Sequence, residues 1–265
     1  MSLAEIRNIT AGYDKENVLE NVSFDINCGE LVGVLGANGS GKSTLVKAVS
    51  NLLPHNGNVV VGEKTIENLK PYETAGIISY IPQHSGLNID ISVLDVVLMG
   101  FNSKLKILEN PGREMLERAK ATIELVGLKD KAESNYLTLS EGQKQLVILA
   151  RALVSDGKLL VMDEPESALD FNVRYKIMSL VKKQIQGENR AGLLVLHDTT
   201  LALNNCDRLI LLKDKKIVGI IDLHNDTIES AEEKLSLIYG EISLVKTAGK
   251  TGRESLIMIC DSEGV

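Results

Sequence analysis

A glycine-rich stretch at residues 36–44, with the sequence GANGSGKST, carries the residue types needed to bind a phosphate chain. It matches the pattern G-x-x-x-x-G-K-[ST] and lies between an apolar run typical of a strand and a periodic run typical of a helix. Glycines let backbone N–H groups turn toward an anion, and the helix N-terminus adds partial positive charge. Lys42 is placed to reach the β- and γ-phosphates, and the Ser43 hydroxyl to hold Mg²⁺. The stretch therefore predicts a site for a nucleoside triphosphate.

Two adjacent carboxylates, Asp163 and Glu164, follow the apolar run 159–162. Such a pair is costly beside a buried strand unless a cation or a bound water uses it. Asp163 would support Mg²⁺, directly or through water, and Glu164 would act as general base toward the attacking water. The alternative is an acidic pair at a helix N-terminus, stabilised by the helix dipole.

Two polar residues end other predicted strands, and ligands of open α/β sheets bind at the carboxyl ends of strands. His197 follows the run 193–196 and could hydrogen-bond a γ-phosphate or the attacking water. Gln83 could bind Mg²⁺ or the water through its amide oxygen, although an ordinary loop amide is the simpler interpretation of its position alone. The remaining histidines are interpreted as structural: His55, His84 and His224.

Tyr13 and the segment 139–143 are each open to two interpretations. Tyr13 could cover core as a strand aromatic or stack on an adenine ring. The segment LSEGQ predicts a helix that begins after Ser140 as N-cap and runs to about residue 154. It could present that helix N-terminus, a hydroxyl and a glycine amide to an anion, but on its own it is only a capping sequence.

The element pattern predicts an α/β chain. The alternating run 3–9 is expected as an edge strand and the run 18–26 as part of an antiparallel sheet. The runs 159–162 and 193–196 are apolar throughout, which is typical of a parallel sheet covered on both faces. Helical spacing dominates from about residue 85 to 155 and predicts a helical insertion. The remaining expected elements are strands at 31–35, 59–61 and 77–81, a helix with an apolar face from 173 to 185, a hairpin of 209–212 and 217–221, and, after residue 230, a short helix and strands at 242–245 and 256–259.

Composition narrows the function classes. The 265 residues have a net charge of −7 and 3% aromatic content, which argues against nucleic acid as the main partner and against a base-stacking surface. We see neither a signal peptide nor an apolar run near the ~20 residues of a membrane span. Three widely spaced cysteines predict reduced, buried thiols in a cytoplasmic protein.

Taken together, these segments resemble the nucleotide-binding subunit of an ABC transporter over roughly residues 3–240. The matching motifs, in the family's order, are GANGSGKST, IPQ, LSEGQ, LLVMDEP, SALD and LHD. The resemblance implies a P-loop NTPase with a RecA-like parallel-sheet core, an N-terminal antiparallel β subdomain and an inserted α-helical subdomain. We accordingly expect an ATPase domain at 1–240, with its core at 1–84 and 156–240 and its helical subdomain at 85–155, and a C-terminal β-hairpin tail at 241–265.

The resemblance also implies roles for residues within one chain. Tyr13 would stack on the adenine of ATP, and Glu164, His197 and Gln83 would serve catalysis. Mg²⁺ would be held by Ser43, Gln83 and Asp163. The phosphates would be bound by Gly36, Asn38, Gly39, Ser40, Gly41, Lys42, Ser43 and Thr44.

The implied partners are a second copy of the chain and a membrane permease. In the family's head-to-tail dimer, Ser140, Gly142 and Gln143 meet the ATP of the other subunit, and Asp170 crosses the interface. The dimer closes with ATP and opens after hydrolysis, which drives the permease; a substrate-binding protein takes part indirectly. The chain would sit in the cytoplasm on the inner face of the cell membrane.

Three positions depart from the family's usual residues. Glu141 replaces the first glycine of LSGGQ, and we expect its carboxylate to point away from the γ-phosphate, since like charges repel. Glu166 replaces the threonine of DEPTSALD and is expected to face solvent. Leu146 stands where arginine is common, so one polar contact of that helix would be missing.

The segment 91–101 and the tail after residue 238 resemble importers of iron chelates, haem and cobalamin, although importers of manganese or zinc share several of these features. By analogy with the family, residues from about 83 to 104 would face the permease's coupling helix. The alternative function is a soluble ABC ATPase of the iron–sulfur assembly or DNA-repair type. Net charge, and the lack of a coiled-coil insertion or zinc cysteines, disfavour a DNA role. A P-loop kinase or GTPase would lack both the LSEGQ segment and the IPQ segment.

Overall fold

The computed structural model describes residues 2–84, 86–106, 108–167, 169–187, 189–250, 252 and 254–260. Its strands are β1 Ser2–Tyr13, β2 Glu16–Asn27, β3 Leu31–Gly36, β4 His55–Val61, β5 Lys64–Thr65, β6 Ile78–Ile81, β7 Leu159–Asp163, β8 Ala191–Val195, β9 Arg208–Lys213, β10 Lys216–Asp222, β11 Ile242–Ala248 and β12 Glu254–Cys260. Its α-helices are α1 Lys42–Val49, α2 Pro71–Ala75, α3 Val93–Leu98, α4 Arg113–Leu125, α5 Glu141–Val154, α6 Phe171–Gly187, α7 Thr199–Asn205 and α8 Ile228–Tyr239.

A six-stranded sheet forms the core, in the order β10-β9-β3-β8-β7-β6. Strands β9, β3, β8, β7 and β6 pair in parallel, and β10 joins β9 in antiparallel. Every residue of β3, β7 and β8 is buried, because both faces of the sheet are covered. The prediction of a parallel-sheet α/β core is confirmed, and the carboxyl ends of β3, β6, β7 and β8 meet at one edge.

Four strands from the N-terminal part of the chain form a separate antiparallel sheet, in the order β2-β1-β4-β5, which packs over this core. The prediction that the run 3–9 forms an edge strand is wrong, because β1 lies between β2 and β4 and pairs with both. Helix α1 packs its apolar side chains Leu45, Val46 and Val49 between the two sheets. Burying one such side chain stabilises the fold by about 1.5–3 kcal/mol. The helix that follows the glycine-rich loop is thereby fixed at both faces.

The segment between β6 and β7 is mainly helical, as its spacing predicted. Helices α3, α4 and α5 pack on one another through Val93, Val97, Ile123 and Val147, all buried in one cluster. The same cluster includes buried residues on one face of the six-stranded sheet, so the helical segment and the core share apolar contacts. The division of the chain into subdomains remains a prediction.

The chain after β10 forms helix α8 and the antiparallel hairpin β11–β12. Asn204 of α7 holds this hairpin: its Nδ2 donates to the Leu256 carbonyl oxygen at 2.8 Å, and its Oδ1 accepts from the Leu256 N–H at 2.9 Å. Residues 261–265 of the predicted tail lie outside the described residues. Within the described part of the chain, no helix combines the length and apolar character needed to cross a membrane.

The thiols differ from the prediction. Cys206, the C-cap of α7, is buried, but Cys28 and Cys260 are exposed. Cys28 lies in the turn after β2, where its Sγ donates to Asn189 Oδ1 at 2.8 Å. Turn and edge positions leave these side chains in solvent, which an apolar residue type alone does not reveal.

Candidate active site

The glycine-rich loop joins β3 to α1 and surrounds a small concave surface. A side chain at Gly36 would collide with the Leu212 carbonyl oxygen and with Ser40, so only glycine fits there. Gly41, the N-cap of α1, has φ of 101°, a left-handed conformation that favours glycine. These positions explain why the loop needs its glycines: they let the backbone curl tightly around the N-terminus of α1.

Lys42 lies at the centre of this loop and is 5% exposed. Its Nζ donates to the carbonyl oxygens of Gly36 at 2.9 Å and Ala37 at 3.1 Å. Burial lowers the pKa of the Lys42 ammonium, while Glu164 and Asp163 oppose that shift. The loop therefore holds a buried cation that favours an anionic ligand.

Ser40 supplies a direct test of whether a phosphate fits the loop. Its Oγ is buried and has no hydrogen-bond partner within the described residues. Buried polar groups are almost always hydrogen-bonded, so an unpartnered hydroxyl needs an explanation. A phosphate oxygen in the loop supplies the missing acceptor, and the residues present fit such a ligand.

Ser43 and Asp163 lie side by side, with Ser43 Oγ donating to Asp163 Oδ1 at 2.9 Å. Asp163 ends β7 and is 3% exposed; burial raises the pKa of its carboxyl, and the bonds from Ser43 and Tyr80 counteract this. Oxygen ligands are those that Mg²⁺ prefers, and it commonly takes one or two protein groups together with substrate phosphates. The donor set of Ser43 and Asp163 therefore fits Mg²⁺.

Glu164 is held between two side chains from other strand ends. Gln83 Nε2 donates to Glu164 Oε2 at 2.5 Å, and His197 Nε2 donates to Glu164 Oε1 at 2.5 Å. The backbone of Glu164 has a positive φ of 50°, which turns the chain sharply after β7. The structure thus brings together the predicted catalytic residues Glu164, His197 and Gln83. The Gln83 amide bonds Glu164 through its nitrogen.

Lys42, Ser43, Glu164 and His197 share one cavity of about 350 Å³, whereas Gln83 and Asp163 are not among the described residues that line it. Its lining is Tyr13, Val18, Asn38, Gly39, Gly41, Lys42, Ser43, Thr44, Glu164 and His197. Tyr13 is 46% exposed, so it does not cover core and its ring is accessible at the side of the cavity. The cavity combines an accessible aromatic ring, a phosphate loop and a carboxylate held by a histidine.

The segment 139–143 lies elsewhere, at the start of α5. Ser140 Oγ accepts from the Gln143 N–H at 3.3 Å, and Gln143 Oε1 accepts from the Ser140 N–H at 3.1 Å, which forms a capping box. Glu141 Oε1 pairs with Lys144 Nζ of its own helix at 2.8 Å. Neither Ser140 nor Gly142 is among the described residues that line the cavity of the same chain.

After β7, Glu166 differs from the prediction in its burial, and Asp170 is not among the described residues that line the cavity. Glu166 is 5% exposed, so the expectation that it faces solvent is wrong. Its Oε1 accepts from the backbone N–H of His197 at 3.1 Å, which draws the side chain inward. Asp170 is exposed just before α6, where its carbonyl oxygen accepts from the Arg174 N–H at 3.0 Å.

The sequence reasoning also missed Tyr80, whose hydroxyl bonds Asp163. Burial, followed by the charge of Asp163, raises the pKa of this phenol, so it stays protonated and donates. The alternation of β6 and β7 could have placed Tyr80 and Asp163 on the same face of the sheet, since Tyr80 pairs in register with Val161, two residues before Asp163. Leu146, the third departure, is half-buried against the apolar core.

A family model described as "ABC transporter" matches residues 19–167 of the chain. The probable iron chelatin transport ATP-binding protein of Helicobacter pylori is 34% identical over 80% of this chain and 84% of its own length. The manganese transport system ATP-binding protein of Bacillus subtilis is 35% identical over 80% and 84%. The hemin import ATP-binding protein of Vibrio parahaemolyticus is 34% identical over 90% and 91%.

Solved structures share the fold. A putative metal-chelate type ABC transporter in an inward-facing conformation aligns with a TM-score of 0.81 and 24% identity over 98% of this chain and 99% of that chain. A dimeric ATP-binding cassette in a post-hydrolysis state, bound to ADP and phosphate, aligns with a TM-score of 0.75 and 29% identity over 83% and 98%.

Proposed function

The chain belongs to the ABC transporter family, and on that premise we propose that it is the ATP-hydrolysing subunit of a membrane importer. The observation that carries the proposal is the cavity in which Lys42, Glu164 and His197 meet. A buried cation, a carboxylate and a histidine at one helix N-terminus are the groups that phosphoryl transfer to water requires. Lys42 begins α1, which follows β3, while Glu164 and His197 follow the ends of β7 and β8, so the sheet sets their spacing.

Nucleotide binding uses the two sides of the cavity. Tyr13 stacks on the adenine ring, which leaves its hydroxyl edge in solvent. The loop 36–44 surrounds the phosphates with backbone N–H groups, and Lys42 exchanges its bonds to loop carbonyls for phosphate oxygens. Ser40 gains the acceptor that it lacks. Mg²⁺ would be held by Ser43, Asp163 and Gln83, and it would neutralise charge on the phosphates.

Water activation falls to Glu164. Its carboxylate lies beside the loop and accepts bonds from His197 and Gln83, which fix both of its oxygens. A carboxylate that is already oriented accepts a proton from water without a further loss of conformational entropy. When the γ-phosphate is present, His197 is within reach of both the phosphate and Glu164, so it keeps the base and the reacting group in one arrangement.

A second copy of the chain completes the site. Ser140 and Gly142 lie outside the cavity of their own chain, so they serve the γ-phosphate bound by the other copy in a head-to-tail dimer. The dimeric cassette among the structural relatives supports this arrangement. Gln143 orders the helix start through its capping box, and the exposed Asp170 is free to meet the partner. Glu141 is directed to Lys144 and stays away from the phosphate.

A groove of about 390 Å³ between the core and the helical segment is the site that we assign to the permease. Met99, Gly100, Asn102 and Ser103 line one wall, and Arg151 contributes from α5. These residues follow Gln83 within the segment expected to face the coupling helix. A helix of the permease seated here would sense movements of the loop that carries Gln83.

The transported solute is proposed from the relatives, since solute selection lies in other subunits. The relatives are named for iron chelatin, manganese and hemin transport. We therefore propose an importer of an iron chelate, haem, cobalamin or a metal ion. A substrate-binding protein would meet the permease, and this chain would act on the cytoplasmic face.

Co-purification from membranes tests the proposal. A tagged chain solubilised in mild detergent is expected to bring down a polytopic membrane protein. Ser103→Arg, which fills the groove, should reduce this recovery, whereas Thr247→Arg on the exposed face of β11 should not. Recovery of the chain only from the soluble fraction would contradict an importer role and favour the soluble ABC ATPase.

A further inference from the structure

Glu166 is a buried carboxylate without a role in the proposed mechanism. It lies in the turn after β7, two residues beyond Glu164, and this turn is tightly bonded: Ser167 N–H donates to the Glu164 carbonyl at 3.2 Å, and Leu169 N–H to that of Glu166 at 3.1 Å. Glu164 N–H in turn donates to the Val195 carbonyl at 3.2 Å, which joins the turn to the end of β8. Glu166 therefore lies in a turn whose backbone is hydrogen-bonded to its neighbours and to β8.

The turn contacts His197 at two points. Glu164 Oε1 accepts from the His197 ring, and Glu166 Oε1 accepts from the His197 backbone N–H at 3.1 Å. The residues on either side of His197 already have hydrogen-bond partners. Leu196 N–H donates to the Val34 carbonyl oxygen at 3.3 Å, and the Asp198 side chain caps α7 by accepting from the Leu201 N–H at 2.9 Å. Between these two anchors, the His197 backbone N–H has Glu166 Oε1 as its acceptor.

Burial of the Glu166 carboxylate in this position is energetically unfavourable. Glu166 Oε2 is buried without a hydrogen-bond partner among the described residues. Burial raises the pKa of the Glu166 carboxyl, and the bond from His197 counteracts this. An apolar side chain of equal size would fill the space without that cost, but it would leave the partly buried His197 N–H without this acceptor. The property that the site uses is the acceptor oxygen.

We propose that Glu166 is a positioning residue that sets the orientation of His197 toward Glu164 through the His197 backbone. This inference rests on the proposed ATPase function for its kinetic consequence, but its structural content does not. Loss of the acceptor lets the His197 backbone turn between its two anchored neighbours, which separates the His197 ring from the Glu164 carboxylate. A shift of this kind slows the chemical step and leaves nucleotide binding intact, since Glu166 contributes nothing to the lining of the cavity.

Two variants of the full-length chain separate acceptor from shape. Glu166→Leu keeps the bulk and removes the acceptor, whereas Glu166→Gln keeps both and removes only the charge. We expect Glu166→Leu to lower kcat for ATP by about tenfold or more with KM within about threefold of wild type, since the effect falls on the chemistry alone. Glu166→Gln should stay within about twofold in both parameters, because its amide oxygen still accepts.

A second measurement reads His197 without activity. The chain has four histidines, and His197→Gln identifies the His197 signal in ring-labelled NMR spectra. At a fixed pH, the chemical shift of that signal in the nucleotide-free protein should differ between Glu166→Leu and Glu166→Gln. Both variants lack the charge, so the difference reports the acceptor. Should the leucine variant fail to fold, Glu166→Ala replaces it with the same expected results.

Three outcomes overturn the inference. They are an unchanged kcat in the variant without an acceptor, the same His197 chemical shift in the leucine and glutamine variants, and equal losses of kcat in these two variants. The proposed function fails differently: a wild-type chain without ATPase activity would refute it, and the NMR comparison would still decide the role of Glu166.

Discussion

Glu164 Oε1 accepts a hydrogen bond from His197 Nε2 at 2.5 Å, across the carboxyl ends of two neighbouring parallel strands. The register explains the contact: β7 and β8 pair with Asp163 opposite Val195, so the first turns after these residues face each other. Glu164, the proposed general base, therefore lies in contact with His197. On the proposed function, a bound γ-phosphate would give His197 a second partner and would couple substrate binding to the orientation of Glu164.

Tyr13 tests the assignment of the adenine site. Tyr13→Ala should weaken binding of a fluorescent ATP analogue by about tenfold, because a base–aromatic stack contributes about 1–3 kcal/mol. Tyr13→Phe should bind like wild type, since only the ring is used. Tyr72→Ala, which removes another exposed ring, serves as the control. Equal affinity of the wild-type chain and Tyr13→Ala would place the base elsewhere.

Substitution of Glu141 tests whether this residue, which replaces the first glycine of LSGGQ, affects ATP hydrolysis. Its carboxylate is exposed and paired with Lys144, and exposed pairs contribute at most about 1 kcal/mol. Glu141→Gly should therefore change the steady-state ATPase rate by less than about threefold. Glu141→Gln, which keeps the shape, should behave alike. A strong rise of ATPase activity in Glu141→Gly would show that the carboxylate opposes the γ-phosphate.

Glu166 predicts a pH dependence of folding stability. Burial raises its folded pKa above the ordinary value of 4.5, so the folded chain binds a proton that the unfolded chain has released. Wild-type stability is accordingly lowered as pH rises from that value through the folded pKa. Glu166→Gln, which stays neutral, should unfold at a higher temperature than wild type at about pH 8, and the difference should shrink toward about pH 5.

Thermal unfolding of both proteins across this range measures the effect. Asp163 also has a raised pKa, but it titrates in both proteins and cancels in the comparison. A constant difference in unfolding temperature at all pH values would contradict a raised pKa at Glu166.

The sequence predicted those features whose signal is local. The strands β7 and β8 are apolar throughout because both faces are covered, and the helix start at Ser140 follows from its capping box. The meeting of Asp163, Glu164 and His197 follows from the rule that strand ends of a parallel sheet gather ligands.

Other features set by distant contacts, which the strand-end rule does not cover, were missed. The alternation in β1 reports that the strand is half-covered but contains no information about its neighbours, so its interior position was not predicted. The burial of Glu166 depends on the His197 N–H, which lies 31 residues away along the chain. The contact of Tyr80 with Asp163 likewise depends on the pairing of β6 with β7.

Glu164→Gln examines the catalytic step. The amide keeps the shape of the base but does not take a proton, so phosphate release should slow by about 10²–10⁴-fold. Binding of ATP should be unchanged, because the phosphate loop is intact. Glu117→Gln on the exposed face of α4 provides a control with the same chemical change. Full turnover in Glu164→Gln would remove this residue from the role of general base.

The mass of Glu164→Gln with Mg²⁺ and ATP, measured by light scattering during size-exclusion chromatography, tests the central claim most directly. A site that needs Ser140 and Gly142 of a second copy predicts a stable dimer with one ATP per chain when hydrolysis is blocked. Without nucleotide, or with Lys42→Met added, the same protein should run as a monomer. A Glu164→Gln chain that binds Mg²⁺ and ATP yet stays monomeric would contradict a site completed by dimerisation.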